Sequence, residues 1–239
     1  MRYVRILAVV LAVVALGLLL ASGPVTRAGF WSWQLGLKVF AWAAYAGFAA
    51  AGVGLVLTVL AAVPRWRARA WIPVGVLCAG LVAAAPAVMM LDKAKSVPPI
   101  HDVTTDPFDP PAFLALMPMR VTLPNGAAYG GIRIAEQQQK GYPDIKPLVL
   151  KSTPAQTVQR AIDAARASGW EIVSADAPAG RIEATATTFW FGFKDDIIVR
   201  VRPEPSGGSR VDVRSVSRVG VSDVGANAAR IREFLARLA

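Results

Sequence analysis

The sequence predicts a helical transmembrane region of three spans followed by an α+β domain of two layers, an antiparallel β-meander flanked by two helices. Three observations carry this. Long uncharged apolar runs are confined to the first 91 of 239 residues. From about residue 170 onward, apolar and polar positions alternate with period two between turn signals at regular intervals. Two segments with helical periodicity, near 153–169 and 225–238, frame that alternating region.

The apolar runs cover Val4 to Ser22, Val39 to Val63 and Trp71 to Leu91. Each has about the 20 residues a helix needs to cross ~30 Å of hydrocarbon, and backbone in lipid satisfies its hydrogen bonds only as helix or closed barrel. Ala43, Ala44, Gly47, Ala51, Gly52 and Gly54 make the second span rich in small residues, which permits close helix packing. Pro73 falls in the first turn of the third span, and Pro86 is expected to kink it. The first run also has the features of a secretory signal, with "MRYVR" before it and "ASG" at its end. Two further spans follow directly, so an uncleaved anchor is the expected reading.

The charge of +10 first suggests a nucleic-acid partner. Its distribution removes that reading. Residues 1–95 hold nine Lys and Arg against one Asp, whereas residues 96–239 hold seventeen against fifteen Asp and Glu. The excess therefore flanks the spans, and the rest of the chain has no dense basic face for phosphates. Arg2 and Arg5 precede the first span, and Arg65, Arg67 and Arg69 separate the second from the third. Arg27, Lys38, Lys93 and Lys95 fall on the other side, with "FWSWQLGL" at 30–37 as an aromatic belt. The denser short segments are expected in the cytoplasm, which puts residues 96–239 outside it, in the periplasm of a cell with an outer membrane. Cys78, the only cysteine, lies within a span and leaves no internal disulfide or cysteine-rich zinc site.

The domain opens with "SVPPIHDVTTDPFDPPAF", whose five prolines impose an extended, turn-rich arm. The chain then stays irregular to about residue 150, with at most short strands and a short helix near 132–139. "STPAQTVQRAIDAARASGW" begins the first clear helix. Thr153 is its N-cap, Pro154 its first residue and Gln156 the partner in a capping box, with Gly169 as the stop. Four strands follow in "WEIVSA", "RIEATATTFWF", "IIVRVRP" and "RVDVRSVSRV". Their parity assigns Ile182, Ala184, Ala186, Ile197, Val199, Val201, Val211 and Val213 to the core face. The last helix, "GANAARIREFLARL", presents Ala228, Ile231, Leu235 and Leu238 to it.

The segments "IHDVTTDPFDPPAF", "YPDIKPL", "GWEIV", "RIEATATTFWFGFKDDIIVRV" and "GSRVDVRSVSRVGVSDVGANAARIREFL" resemble the bacterial and chloroplast family known as domain of unknown function 1499. The resemblance covers roughly residues 98–239, and the spans before it resemble the membrane-attached members. It implies a domain boundary near residue 96 and an envelope setting. It implies no activity, substrate or catalytic residue.

Four groups of residues are candidate sites. His101, the only histidine, is followed by Asp102 and Asp106, which suits a general base held by a carboxylate or a hard-cation site. Asp and Thr side chains beside Pro equally cap turns, and the register of a Ca²⁺ loop is missing. Lys194, Asp195 and Asp196 are expected at a hairpin tip, pairing across strands with Arg200, Arg202 or Arg214. Those arginines, with Arg218 and Asn227, form a candidate anion or lipid-headgroup site, or a salt-bridge lattice with neighbours such as Glu183 and Asp212. Phe189, Trp190, Phe191 and Phe193 make both faces of a strand apolar. The expected cover is the Pro-rich arm at 98–113, and the alternative is an exposed patch for a partner protein or the outer leaflet. No phosphate loop, nucleophile elbow, HExxH or CxxC occurs.

The expectation is a membrane protein whose exported domain binds a protein partner or an anionic envelope ligand, with the lipid bilayer as its other partner and neither cofactor nor metal. An envelope hydrolase or metal-dependent enzyme using His101, Asp102, Asp106 and Asp195 is the alternative. An accessory subunit of a membrane complex, docked through the second span, is a further one.

Overall fold

The computed structural model describes residues 2–63 and 71–239. Arg65, Arg67 and Arg69 lie outside the described residues. The chain divides into two compact units, Met1–Asp92 with Phe189–Gly192, and Lys93–Thr188 with Phe193–Ala239.

Unit 1 is built on three helices, α1 (Arg2–Arg27), α2 (Trp33–Leu60) and α3 (Trp71–Ser96), each long and apolar enough to cross a membrane. α1 continues through Pro24 to Arg27, one turn past the apolar run, and α3 is assigned as one helix through Pro86. Ser32 caps α2, its hydroxyl accepting the Leu35 N–H. The small residues set the packing. A Cβ on Gly80 of α3 would lie 2.5 Å from the Ala51 nitrogen, and one on Gly54 of α2 would lie 2.5 Å from the Leu77 nitrogen. The two backbones meet because nothing stands between them. Gly52, by contrast, faces open space.

Unit 2 is an α+β domain around a six-stranded antiparallel sheet. The strands are β1 (Asp102–Thr104), β2 (Leu148–Leu150), β3 (Glu171–Asp176), β4 (Arg181–Thr187), β5 (Lys194–Pro203) and β6 (Ser209–Ser217). Their order is β1-β6-β5-β4-β3, and β2 also pairs with β6. The meander β3 to β6 is the predicted one. The two short strands add to the free side of β6, β1 against its end and β2 against its start. Helices α4 (Met117–Arg120) and α5 (Ile132–Gly141) belong to the segment between β1 and β2, and α6 (Pro154–Ala167) and α7 (Ala226–Leu238) pack on the sheet.

The predicted core rows hold. Ile182, Ala184, Ala186, Ile197, Val199, Val201, Val211 and Val213 bury against Val158, Ile162 and Ala165 of α6 and Ala228, Ile231 and Leu238 of α7. The Thr153 capping box forms, and Gly169 ends the segment at φ +72. One position on α7 differs. Phe234 takes the centre and stacks on Trp170 at 4.8 Å, leaving Leu235 half-buried.

The opposite sheet face corrects two expectations. The end of the Pro-rich arm and the segment after it cover it, through Phe113, Leu116 and Met119 packed on Ile198 and Val216, and the arm does not lie over the aromatic cluster. The residues of that cluster from Phe189 to Gly192 leave the sheet and join the helices of unit 1. The hairpin tip is therefore residues 188–193, and Lys194, Asp195 and Asp196 already belong to β5. β1 is closed on its outer side by Gln138 of α5, whose amide accepts the Thr104 N–H at 2.9 Å and donates to its carbonyl at 2.6 Å. A side chain takes the place of a neighbouring strand.

Candidate functional site

Strand parity puts Glu183, Thr185, Asp196, Arg200, Asp212 and Arg214 on the arm-covered face, and burial forces each to find partners. Asp196 is fully buried and accepts from Arg120 Nη1 at 2.6 Å, Arg218 Nη2 at 2.8 Å and the Thr185 hydroxyl at 2.8 Å. Burial lowers the Arg120 pKa against the opposing pull of Asp196. Arg214 holds Asp102 in a two-pronged pair at 2.9 and 2.8 Å. Arg200, Arg202 and Arg210 converge on Asp212 at 3.1, 2.9 and 3.1 Å. Glu183 binds no arginine among the described residues. Its carboxylate accepts the backbone N–H groups of Leu114, Ala115 and Leu116 at 2.6, 3.1 and 2.8 Å, which pins the arm to the sheet.

These arginines also shape the loop before α5. Arg120 donates to the carbonyls of Asn125 and Gly126, and Arg214 donates to that of Ala127. The loop thus turns its carbonyls inward, and beside it opens a cleft of about 780 Å³. His101, Asp102, Asn125, Tyr129, Arg133 and Arg214 supply its polar wall, and Met117, Val121 and Ile134 part of its apolar one. The Tyr129 hydroxyl is buried without a hydrogen-bond partner among the described residues. Burial, with Asp102 nearby, pushes its pKa up to about 12, so it stays a donor at neutral pH. Arg133, exposed at the mouth, pairs with no carboxylate among the described residues.

The sequence candidates are spread over several places. His101 lies in this cleft with Nδ1 3.3 Å from the Val221 carbonyl. Asp102 beside it is committed to Arg214. Asp106 is elsewhere, accepting the Phe108 and Asp109 N–H groups and Arg210 at 2.6 Å, on the rim of a hollow of about 420 Å³. Asp195 faces the helices and binds Arg230 of α7 at 2.6 Å. His101, Asp106 and Asp195 thus do not converge. Arg200, Arg202 and Arg214 do share one face, as ion-pair partners, and Arg218 joins them through Asp196. Asn227 is buried and ties α7 to the sheet, accepting from the Ser215 hydroxyl and donating to the His101 carbonyl. The partner of Phe193 in its own turn is Thr188, whose hydroxyl accepts its N–H.

Sequence reasoning missed Arg120, Asn125, Tyr129 and Arg133. The one available signal was the glycine-rich stretch "LPNGAAYGG", which marks a loop where backbone groups must be satisfied by side chains. Among the described residues, no three His, Cys, Asp or Glu side chains are grouped as metal ligands.

Three membrane-length helices and an α+β unit with an open cleft define a membrane-spanning protein carrying a folded extramembrane domain. A family model described as "Protein of unknown function (DUF1499)" matches residues 102–238, more than half of the chain, and the chain belongs to that family. No curated protein matches it.

Proposed function

We propose that this is an inner-membrane protein of the cell envelope that displays residues 96–239 outside the cytoplasm, in the periplasm where there is an outer membrane. There the domain binds an anionic ligand, or an anionic group of a protein partner, without transforming it. The observation that carries the reading is the composition of the 780 Å³ cleft, which is lined by Arg133, without a carboxylate partner among the described residues, and by Tyr129, whose buried hydroxyl has no hydrogen-bond partner among them. Both are donors, and both suit a carboxylate or phosphate. Asp102 supports binding over acid–base work, because its two oxygens are engaged by Arg214 and do not orient the His101 ring. The placement rests on the basic residues flanking the spans.

Two readouts test the two halves. Alkaline phosphatase fused after Ala239 is expected to be active and green fluorescent protein at the same position dark. The reverse overturns the placement. Native mass spectrometry of the full chain released from membranes is expected to show a retained anionic species that Arg133→Glu releases. Identical spectra for the two proteins overturn the cleft as the binding site.

A further inference from the structure

The chain leaves unit 2 after Thr188 and rejoins it at Phe193, and the four residues between belong to the helical unit. Three contacts hold them there. Trp190 lays its indole over Gly23 of α1, where a Cβ would lie 2.4 Å from the ring, and donates Nε1–H to the Ser22 hydroxyl at 3.2 Å. Arg27, in the last turn of α1, donates to the Phe189 carbonyl at 2.6 Å. Phe191 packs edge-on against Phe40 of α2, with ring centroids 5.6 Å apart. The backbone is fixed, yet the Phe189 ring is left 83% exposed.

Depth explains what that ring meets. The apolar run of α1 from Val4 to Ser22 rises about 28 Å, close to the thickness of the hydrocarbon layer. Ser22 therefore marks the edge of that layer, and Arg27 lies about 7 Å farther out, at the level of the headgroups. A Trp bonded to Ser22 and a Phe whose carbonyl is bonded by Arg27 occupy the interval between. This is the zone in which Trp and Tyr are enriched in membrane proteins, and in which interfacial segments bury Trp, Phe and Leu. The α1–α2 turn supplies two more at the same level. Trp31 donates to the Thr26 hydroxyl at 2.5 Å, and Phe30 is 84% exposed.

The geometry points to a lipid-inserted wedge: the loop joining β4 to β5 places Phe189 in the interfacial layer of the bilayer and, with Trp190, completes an aromatic belt begun by Phe30 and Trp31. The occupant of the exposed face is lipid. Nearby on α1, Leu20 is also turned outward, and the exposed side chains of that helix from Val4 to Leu20 are apolar. Arg27 has a second role, since its guanidinium supplies a fixed donor to the Phe189 carbonyl and so sets the path of the loop.

The test uses the full chain in phosphatidylcholine vesicles with Cys78→Ala and a single new cysteine carrying an environment-sensitive fluorophore. Phe189→Cys is compared with Leu20→Cys as the lipid reference and Ser206→Cys, in the exposed β5–β6 turn, as the aqueous one. Lipids bearing a nitroxide at the top of the acyl chain are expected to quench the label at 189 several-fold more than the label at 206, with iodide showing the reverse order. Quenching of position 189 by iodide to the level of 206 places the loop in water and overturns the wedge. Protection from both quenchers places protein over Phe189 and overturns it equally.

Discussion

Replacing Glu183 by Gln removes one charge and almost no volume, which isolates what the carboxylate does for the arm. In the native domain three N–H groups point at two oxygens, and the residue is fully buried. The amide keeps one oxygen, which will face Leu114 and Ala115. Its NH₂ then confronts the Leu116 N–H, donor against donor. Leaving that buried N–H unsatisfied costs about 1–3 kcal/mol. The two remaining bonds fall from charge-assisted to neutral, roughly halving their strength and costing about 1 kcal/mol more. A total of about 2–4 kcal/mol lowers the unfolding midpoint of a domain this size by roughly 6–15 °C. Thermal unfolding of the full chain in detergent reads the shift, and hydrogen exchange read by mass spectrometry should show residues 111–120 losing protection first. A midpoint within about 2 °C of the native one, with those residues equally protected, would refute the claim that Glu183 fastens the arm.

Other perturbations probe separate features. Gln138→Ala removes both bonds that close β1 and should cost about 1–3 kcal/mol, with faster exchange of the Thr104 amide as the local signature. Gly80→Leu drives a side chain into the backbone of α2 and should cost about 1–3 kcal/mol in detergent-driven unfolding, whereas Gly52→Leu, facing open space, should be nearly silent. Asp223 accepts the Gly225 and Asn227 N–H groups at the start of α7, yet burial raises its pKa above 3.8. An acid raised on folding contributes stability that is present below its ordinary value and lost as pH rises through the raised one. Asp223→Asn should therefore flatten the fall in midpoint on going from acid to neutral pH, and parallel curves for the two proteins would show that the burial has no such effect.

The elements legible in the sequence were those specified by local chemistry. Thr153, Pro154 and Gln156 announce their helix within four residues, and the alternation of Ile197, Val199 and Val201 names its own buried face. Parity says which side of a strand a residue occupies but not what covers it. Arg120 reaches Asp196 across 76 positions, Glu183 reaches Leu114 across 69, and Trp190 reaches Ser22 across 168. Each of these partners lies on a segment without periodicity or, like Ser22, far off in the sequence, so no pattern ties the two ends together. The aromatic run at 189–193 was legible as an anomaly, because both faces of a strand turned apolar. The cleft was not legible, because its donors come from a glycine-rich loop whose path is fixed by arginines that the sequence shows only as charges.

The amide of Gln138 has a consequence for self-association. A sheet ordinarily ends in two unpaired margins, and each is a template on which another copy can grow. Here the β1 margin already carries its mimic of a further strand, so growth there must first evict a glutamine. The margin at the far end of the sheet, β3, begins and ends with the charged side chains Glu171 and Asp176. Neutralising those two carboxylates would remove the charge that guards that margin against a further copy.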